Sequence, residues 1–154
     1  MREELALSEI LPLMDEVISD GGTFRFYPHG LSMQPMICQG KDSVVLGKVD
    51  KISVGDVVFY KRDDGSFVLH RIVGRHGGAY VMCGDHQGNG VEYGIRCEQI
   101  LYKLVGFYKG EEYHSIDEAE YKKYAKKRVR SIPYYYKNKA LFEFLRKVKH
   151  IIFK

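Results

Sequence analysis

Gly55-Asp56-Val57-Val58-Phe59-Tyr60-Lys61-Arg62-Asp63-Asp64-Gly65-Ser66-Phe67-Val68-Leu69-His70-Arg71-Ile72-Val73 is the stretch from which the fold can be read. Two runs rich in Val, Ile, Phe and Tyr, Asp56–Lys61 and Phe67–Val73, flank Asp63-Asp64-Gly65, and that turn signal predicts a tight hairpin. Alternation along the second run puts Val68, His70 and Ile72 on one face and Leu69, Arg71 and Val73 on the other. His76-Gly77-Gly78 makes a second hairpin with Ala79–Cys83. Thr23–Tyr27, Ser43–Leu46 and Ile100–Tyr108 share this composition, so the middle of the chain reads as strands.

Helices are expected on both sides of that region. Leu5, Leu7, Ile10, Leu11, Met14, Val17 and Ile18 recur at spacings of three and four, the period of one helix face. Pro12 inside the pattern predicts a kink or a fresh start, and Asp20-Gly21-Gly22 a stop. The end of the chain is helical again, with a break at Ser131-Ile132-Pro133. The expected architecture is mainly β (α+β): a small antiparallel β domain over 23–110, a helix over 1–22 and a basic helical tail over 111–154.

With 154 residues, 45% of them hydrophobic, the chain buries enough surface to need no disulfide staples. Cys38, Cys83 and Cys97 are odd in number and irregular in spacing, the habit of a reducing compartment. No apolar run reaches the roughly 18 residues of a membrane span, and the acidic start is unlike a signal peptide, so a cytoplasmic protein is expected. Charge is segregated. Residues 1–20 hold six carboxylates against Arg2, whereas 121–154 hold twelve Lys and Arg against Glu143. In the tail Leu141, Phe144, Leu145, Val148, Ile151 and Ile152 form one stripe among lysines and arginines. That pattern suits packing on the domain or lying on an anionic membrane surface; nucleic acid is the least favoured partner. The 22 residues ahead of the first strand are too few for a helix-turn-helix, which argues against a DNA-binding repressor.

Three stretches carry chemistry. In Pro28-His29-Gly30-Leu31-Ser32-Met33-Gln34-Pro35, glycine permits an unusual backbone angle beside Ser32 and proline stiffens the exit. A nucleophilic serine needs such a presentation, with a backbone N–H aimed at the developing oxyanion. In the second stretch His70 sits within an apolar strand. It is either a satisfied core residue or a general base, for which an unperturbed pKa of about 6.5 is suited. The third, Gly84-Asp85-His86-Gln87-Gly88-Asn89-Gly90, offers a carboxylate able to orient a histidine or to cap a turn. A metal site from Cys83, Asp85, His86 and Cys97, with His76, fits no standard zinc spacing, and no cofactor is expected.

In order and spacing, Gly30-x-Ser32-Met33-x-Pro35, Gly55-Asp56-Val57-Val58, His70-Arg71 and Gly84-Asp85 resemble the motifs of the signal peptidase I family. The likeness covers residues 24–108, and the SOS-repressor autoproteases share the serine box and the fold. The resemblance implies a serine endopeptidase that cleaves a leader or signal sequence from a precursor polypeptide. Ser32 would be the nucleophile, helped by its own N–H in the oxyanion hole. His70 takes the strand position that is lysine in the bacterial branch and histidine in the endoplasmic-reticulum and archaeal branch. Asp85 is the leading third catalytic residue, with Glu92 or a plain dyad as alternatives, and Gly30, Met33 and Pro35 are expected at the substrate. His86 departs from the family's Gly-Asp-Asn loop, and an acidic helix stands where those enzymes carry a membrane anchor. A catalytically inactive binding protein of the same fold is the competing expectation.

Overall fold

The structure, a computed structural model, describes residues 6–86 and 90–132. Its eight strands are β1 (Phe24–Phe26), β2 (Ser43–Gly47), β3 (Val57–Lys61), β4 (Phe67–His76), β5 (Ala79–Cys83), β6 (Glu92–Ile95), β7 (Ile100–Lys109) and β8 (Glu112–Ser115). The helices are α1 (Leu7–Ser19) and α2 (Ala119–Ser131). All strand pairs are antiparallel, in the order β1-β2-β7-β3-β4-β5-β6, with β8 hydrogen-bonded to β7. The protein is therefore mainly β, of the α+β class.

The hairpins form where the turn residues place them. Gly65 takes φ +88°, Arg62 N–H donates to Ser66 O at 2.8 Å, and Lys61 pairs with Phe67 to start the β3–β4 ladder. Gly77 and Gly78 both have positive φ, the requirement of a two-residue turn whose twist matches its strands, and His76 pairs with Ala79. Two strands go beyond the expected set. β6 is short and contains Gly94, while β8 carries Glu112 and His114 and prolongs the sheet past residue 110, where the helical tail was expected to begin.

The apolar side chains divide between the two sides of the sheet. Val57, Phe59 and Leu69 join Val44, Leu46, Tyr102, Leu104 and Phe107 in one cluster, against which α1 lays Met14 and Ile18. Val58, Tyr60 and Ile72 join Tyr80, Met82, Ile95 and Ile100 in a second cluster to which no described helix contributes. β3 is thus buried on both faces, as its unbroken Val-Val-Phe-Tyr run requires, and each such side chain is worth about 1.5–3 kcal/mol. Register shifts, of the kind that raise local twist, interrupt the β2–β7, β3–β7, β4–β5 and β5–β6 ladders.

α1 runs through Pro12 as one helix. Pro12 and Ser8, whose carbonyl loses its usual donor, are both on the exposed face, where that carbonyl is open to solvent. The helix ends as expected: Gly21 and Gly22 N–H donate back to Ile18 and Val17 carbonyls at 3.0 Å. α2 stops at Ser131, at the predicted break. Leu5 and the apolar stripe from Leu141 to Ile152 lie outside the described residues. Among the described residues no helix is long and apolar enough to cross a membrane.

Candidate functional site

Ser32 lies in the irregular loop between β1 and β2. A turn closes with Gln34 N–H on Leu31 O at 3.1 Å, and Ile37 N–H returns to Met33 O at 2.9 Å. Gly30, at φ +100°, donates its N–H to Gln39 Oε1 at 2.9 Å. Met33, Met36 and Ile37 are buried in the α1-side cluster and pin the loop from below, leaving Leu31 exposed and Ser32 half-buried above them. Among the described residues the Ser32 N–H and Oγ have no hydrogen-bond partner, so a donor and a hydroxyl stand ready at one residue.

Ser32 opens on a small cavity of about 110 Å³, whose walls include Gly30, Met33, Val68, Leu69 and His29. Of the residues expected at the substrate, Gly30 lines this cavity. Met33 reaches the cavity from the core, at 5% exposure, and serves first as an anchor. Pro35 is not among the described residues lining it; it faces a neighbouring cavity of about 300 Å³ with Met36, Phe107 and Tyr121. His29 was not singled out in the sequence, although it stands three residues before the serine.

His70, one step along β4 from Leu69, is 5% exposed and sits on the other cluster's face with Tyr60. Its Nδ1 lies 3.4 Å from Tyr60 Oη, and Tyr60 in turn donates to Glu92 Oε2 at 2.9 Å. Arg62 holds the same carboxylate through Nε at 2.9 Å and Nη2 at 2.9 Å. No described residue hydrogen-bonds His70 Nε2. Burial first, then the Arg62 charge, push the imidazole pKa down to about 4 against the opposing pull of Glu92 and Asp85. His70 is thus neutral well below the range suggested by an unperturbed histidine. Burial pushes Glu92 upward, but Arg62 and Tyr60 more than offset it and hold the carboxyl below its ordinary value.

Asp85 does not orient His70. Its Oδ1 and Oδ2 each accept from Arg71, through Nε and Nη2, at 2.8 Å, and both side chains are fully buried. Tyr124 donates to Oδ2 at 3.0 Å, and Arg128 donates to the Asp85 carbonyl. Since His70 and Arg71 point to opposite faces, the loop carboxylate serves one of them, and it serves the arginine. The place expected for Asp85 at the histidine is filled by Tyr60, with Glu92 behind it.

Arg71 also gathers the other motifs. Its Nη1 donates to Gly55 O at 2.7 Å and its Nη2 contacts Met36 Sδ at 3.4 Å. Gly55 N–H donates to Ile72 O, and Ile72 N–H to Asp56 O, both at 2.8 Å. The β4–β5 ladder ends at Arg71–Cys83, so Gly84-Asp85-His86 leaves the sheet beside His70. His86 N–H then donates to Ser32 O at 2.8 Å. The four motif segments, up to 54 residues apart between Gly30 and Gly84, meet at one place. Ser32 and His70 themselves are not hydrogen-bonded to each other. The rest of the loop, 87–89, lies outside the described residues.

Among the described residues no three His, Cys, Asp or Glu side chains gather as a metal-ligand set. Cys83 is buried, which pushes its thiol up to about 11, and Cys97 is exposed on the short 3-10 turn before β7. No protein-family model matches the chain, and neither does any curated protein or solved structure.

Proposed function

We propose that this protein is a serine endopeptidase that removes a leader or signal sequence from a precursor polypeptide, with Ser32 as nucleophile and His70 as general base. The observation that carries this reading is the convergence of the four motif segments. Ser32 is tied through its carbonyl to the loop beside His70, and it shares a cavity wall with Val68 and Leu69. In the proposed reaction His70 Nε2 takes the Ser32 Oγ proton as the oxygen attacks the scissile carbonyl. The Ser32 N–H stabilises the oxyanion, and the imidazolium delivers its proton to the leaving amine. Water then hydrolyses the acyl-enzyme by the same steps. Contacts of this kind tighten when substrate enters, which is how an unbonded Ser32 and His70 become a dyad. The reading places the enzyme in the cytoplasm, with the basic tail resting on an anionic membrane surface near its substrates.

The open Ser32–His70 pair also supports a second reading, a peptidase fold that binds polypeptide without cutting it. A peptide library incubated with the purified protein from pH 3 to 10, with and without anionic vesicles, separates the two. Cleavage is expected, with its acid limb near pH 4, where His70 takes up a proton. Ser32→Ala should lower it by about 10⁴-fold or more with folding intact. His70→Ala should do nearly the same, whereas His29→Ala in the cavity lining should change it only a few-fold. No cleavage by the wild-type chain under any of these conditions, combined with peptide binding, would establish the second reading.

A further inference from the structure

We propose that Tyr60 and Glu92 are positioning residues that fix which nitrogen of His70 carries the proton, an assignment that rests on the peptidase reading only for its catalytic purpose. A phenol has one proton to give, and a carboxylate can only accept. Arg62 holds Glu92 through two nitrogens at 2.9 Å, and Glu92 Oε2 lies 2.9 Å from Tyr60 Oη. The Tyr60 proton therefore goes to Glu92. What remains on Tyr60 Oη toward His70 is a lone pair. The imidazole nitrogen facing it at 3.4 Å, Nδ1, must then be the protonated one. Nε2 keeps the lone pair of the neutral ring, and no described residue occupies it. That is the nitrogen a general base needs free.

The charges around His70 favour the same state. Tyr60 faces it from β3, Arg62 from the turn just after β3, Glu92 from β6 and Asp85 from the loop after β5. Asp85 is already neutralised by Arg71 on the other face of the sheet. Of the two carboxylates, Glu92 is thus the one coupled by hydrogen bonds to the imidazole. Burial and Arg62 keep the ring neutral over the neutral pH range, so the position of one proton distinguishes a useful base from an idle one. A phenol between carboxylate and imidazole does for Nδ1 what a carboxylate alone would do, but it leaves the full negative charge farther away. This gives a neutral base whose pKa is not raised toward 7.

The test reads the ring directly. In the full-length, ¹⁵N-labelled protein at pH 7, long-range proton–nitrogen correlation of the imidazole should show His70 with Nδ1 protonated and Nε2 bare. An Nε2-protonated His70 would overturn the proposal. Tyr60→Phe and Glu92→Gln should each move the population toward the Nε2-protonated form. They should lower kcat by about 10–100-fold with KM changed less than about two-fold. Glu92→Asp, which keeps the carboxylate, should recover part of the loss. Variants that melt at lower temperature but keep the wild-type tautomer would show a purely structural role and sink the idea. A protein with Nδ1 protonated that cleaves nothing would reject the peptidase reading while the positioning assignment stands. Cleavage by a protein with Nε2 protonated would do the reverse.

Discussion

His70 and Arg71 are neighbours on β4, and the two faces of the sheet treat them differently. On the Arg71 face the guanidinium reaches Asp85, Gly55 O, Tyr121 and Met36 Sδ, and Tyr124 and Arg128 close around the carboxylate and its carbonyl. The pair is dry and its hydrogen bonds are made from every side. On the His70 face one nitrogen contacts Tyr60, and the charged pair behind it, Arg62–Glu92, is partly open to water. A buried ion pair tolerates no loose end, because an unpaired charge in the interior is costly. The general base proposed here must keep one. The Arg71 face ties the motif segments together, and the His70 face leaves one imidazole nitrogen without a partner among the described residues, as the proposed base requires.

Removing a carboxylate from each face tests this contrast most sharply. Asp85→Ala leaves Arg71 charged and unpaired in the interior and should cost about 3–5 kcal/mol in thermal or urea unfolding. Glu92→Ala, whose partner Arg62 can turn to solvent, should cost about 1 kcal/mol or less. Equal losses would mean that the faces do not differ as described.

The next effect is a pH dependence belonging to the His70 face alone. Folding lowers the imidazole pKa from about 6.5 to about 4, so between those values the unfolded chain binds more protons than the folded one. Stability present above pH 6.5 is therefore lost as the pH falls toward 4. A shift of this size is worth about 3 kcal/mol. Melting temperatures followed from pH 7 to 4 should fall more steeply for the wild type than for His70→Leu, and parallel curves would contradict the burial of a neutral ring. On the Arg71 face, Tyr124→Phe removes one hydrogen bond from Asp85 and should cost about 1.5 kcal/mol, well short of Asp85→Ala. It should leave the pH slope untouched, since Tyr124 serves the other face.

Much of this fold was legible in the order of the residues. The β3–β4 and β4–β5 hairpins follow from Asp63-Asp64-Gly65 and Gly77-Gly78, whose backbone preferences act over a few residues. β6 and β8 were not legible: four residues each, one with a glycine and the other charged, they become strands only because β5 and β7 offer them an edge. α1 was legible as a helix, but its continuity through Pro12 depends on which face meets water. Within the candidate site, Ser32 and His70 are distinguished by residue type and setting. Alternation even placed His70 and Arg71 on opposite faces.

By itself, then, the sequence determined the hairpins and the separation of His70 from Arg71. These are consequences of short-range backbone geometry and of the period-two strand. Only the tertiary structure decided that Asp85 turns to Arg71 and not to His70. It alone joined Glu92 to Tyr60 across 32 residues and set the His86 N–H on the Ser32 carbonyl. A polar side chain takes as partner whatever unsatisfied group is buried beside it, and that group is chosen by how the strands pair and where α2 packs. The cost of leaving any of them unpaired is what makes the choice firm.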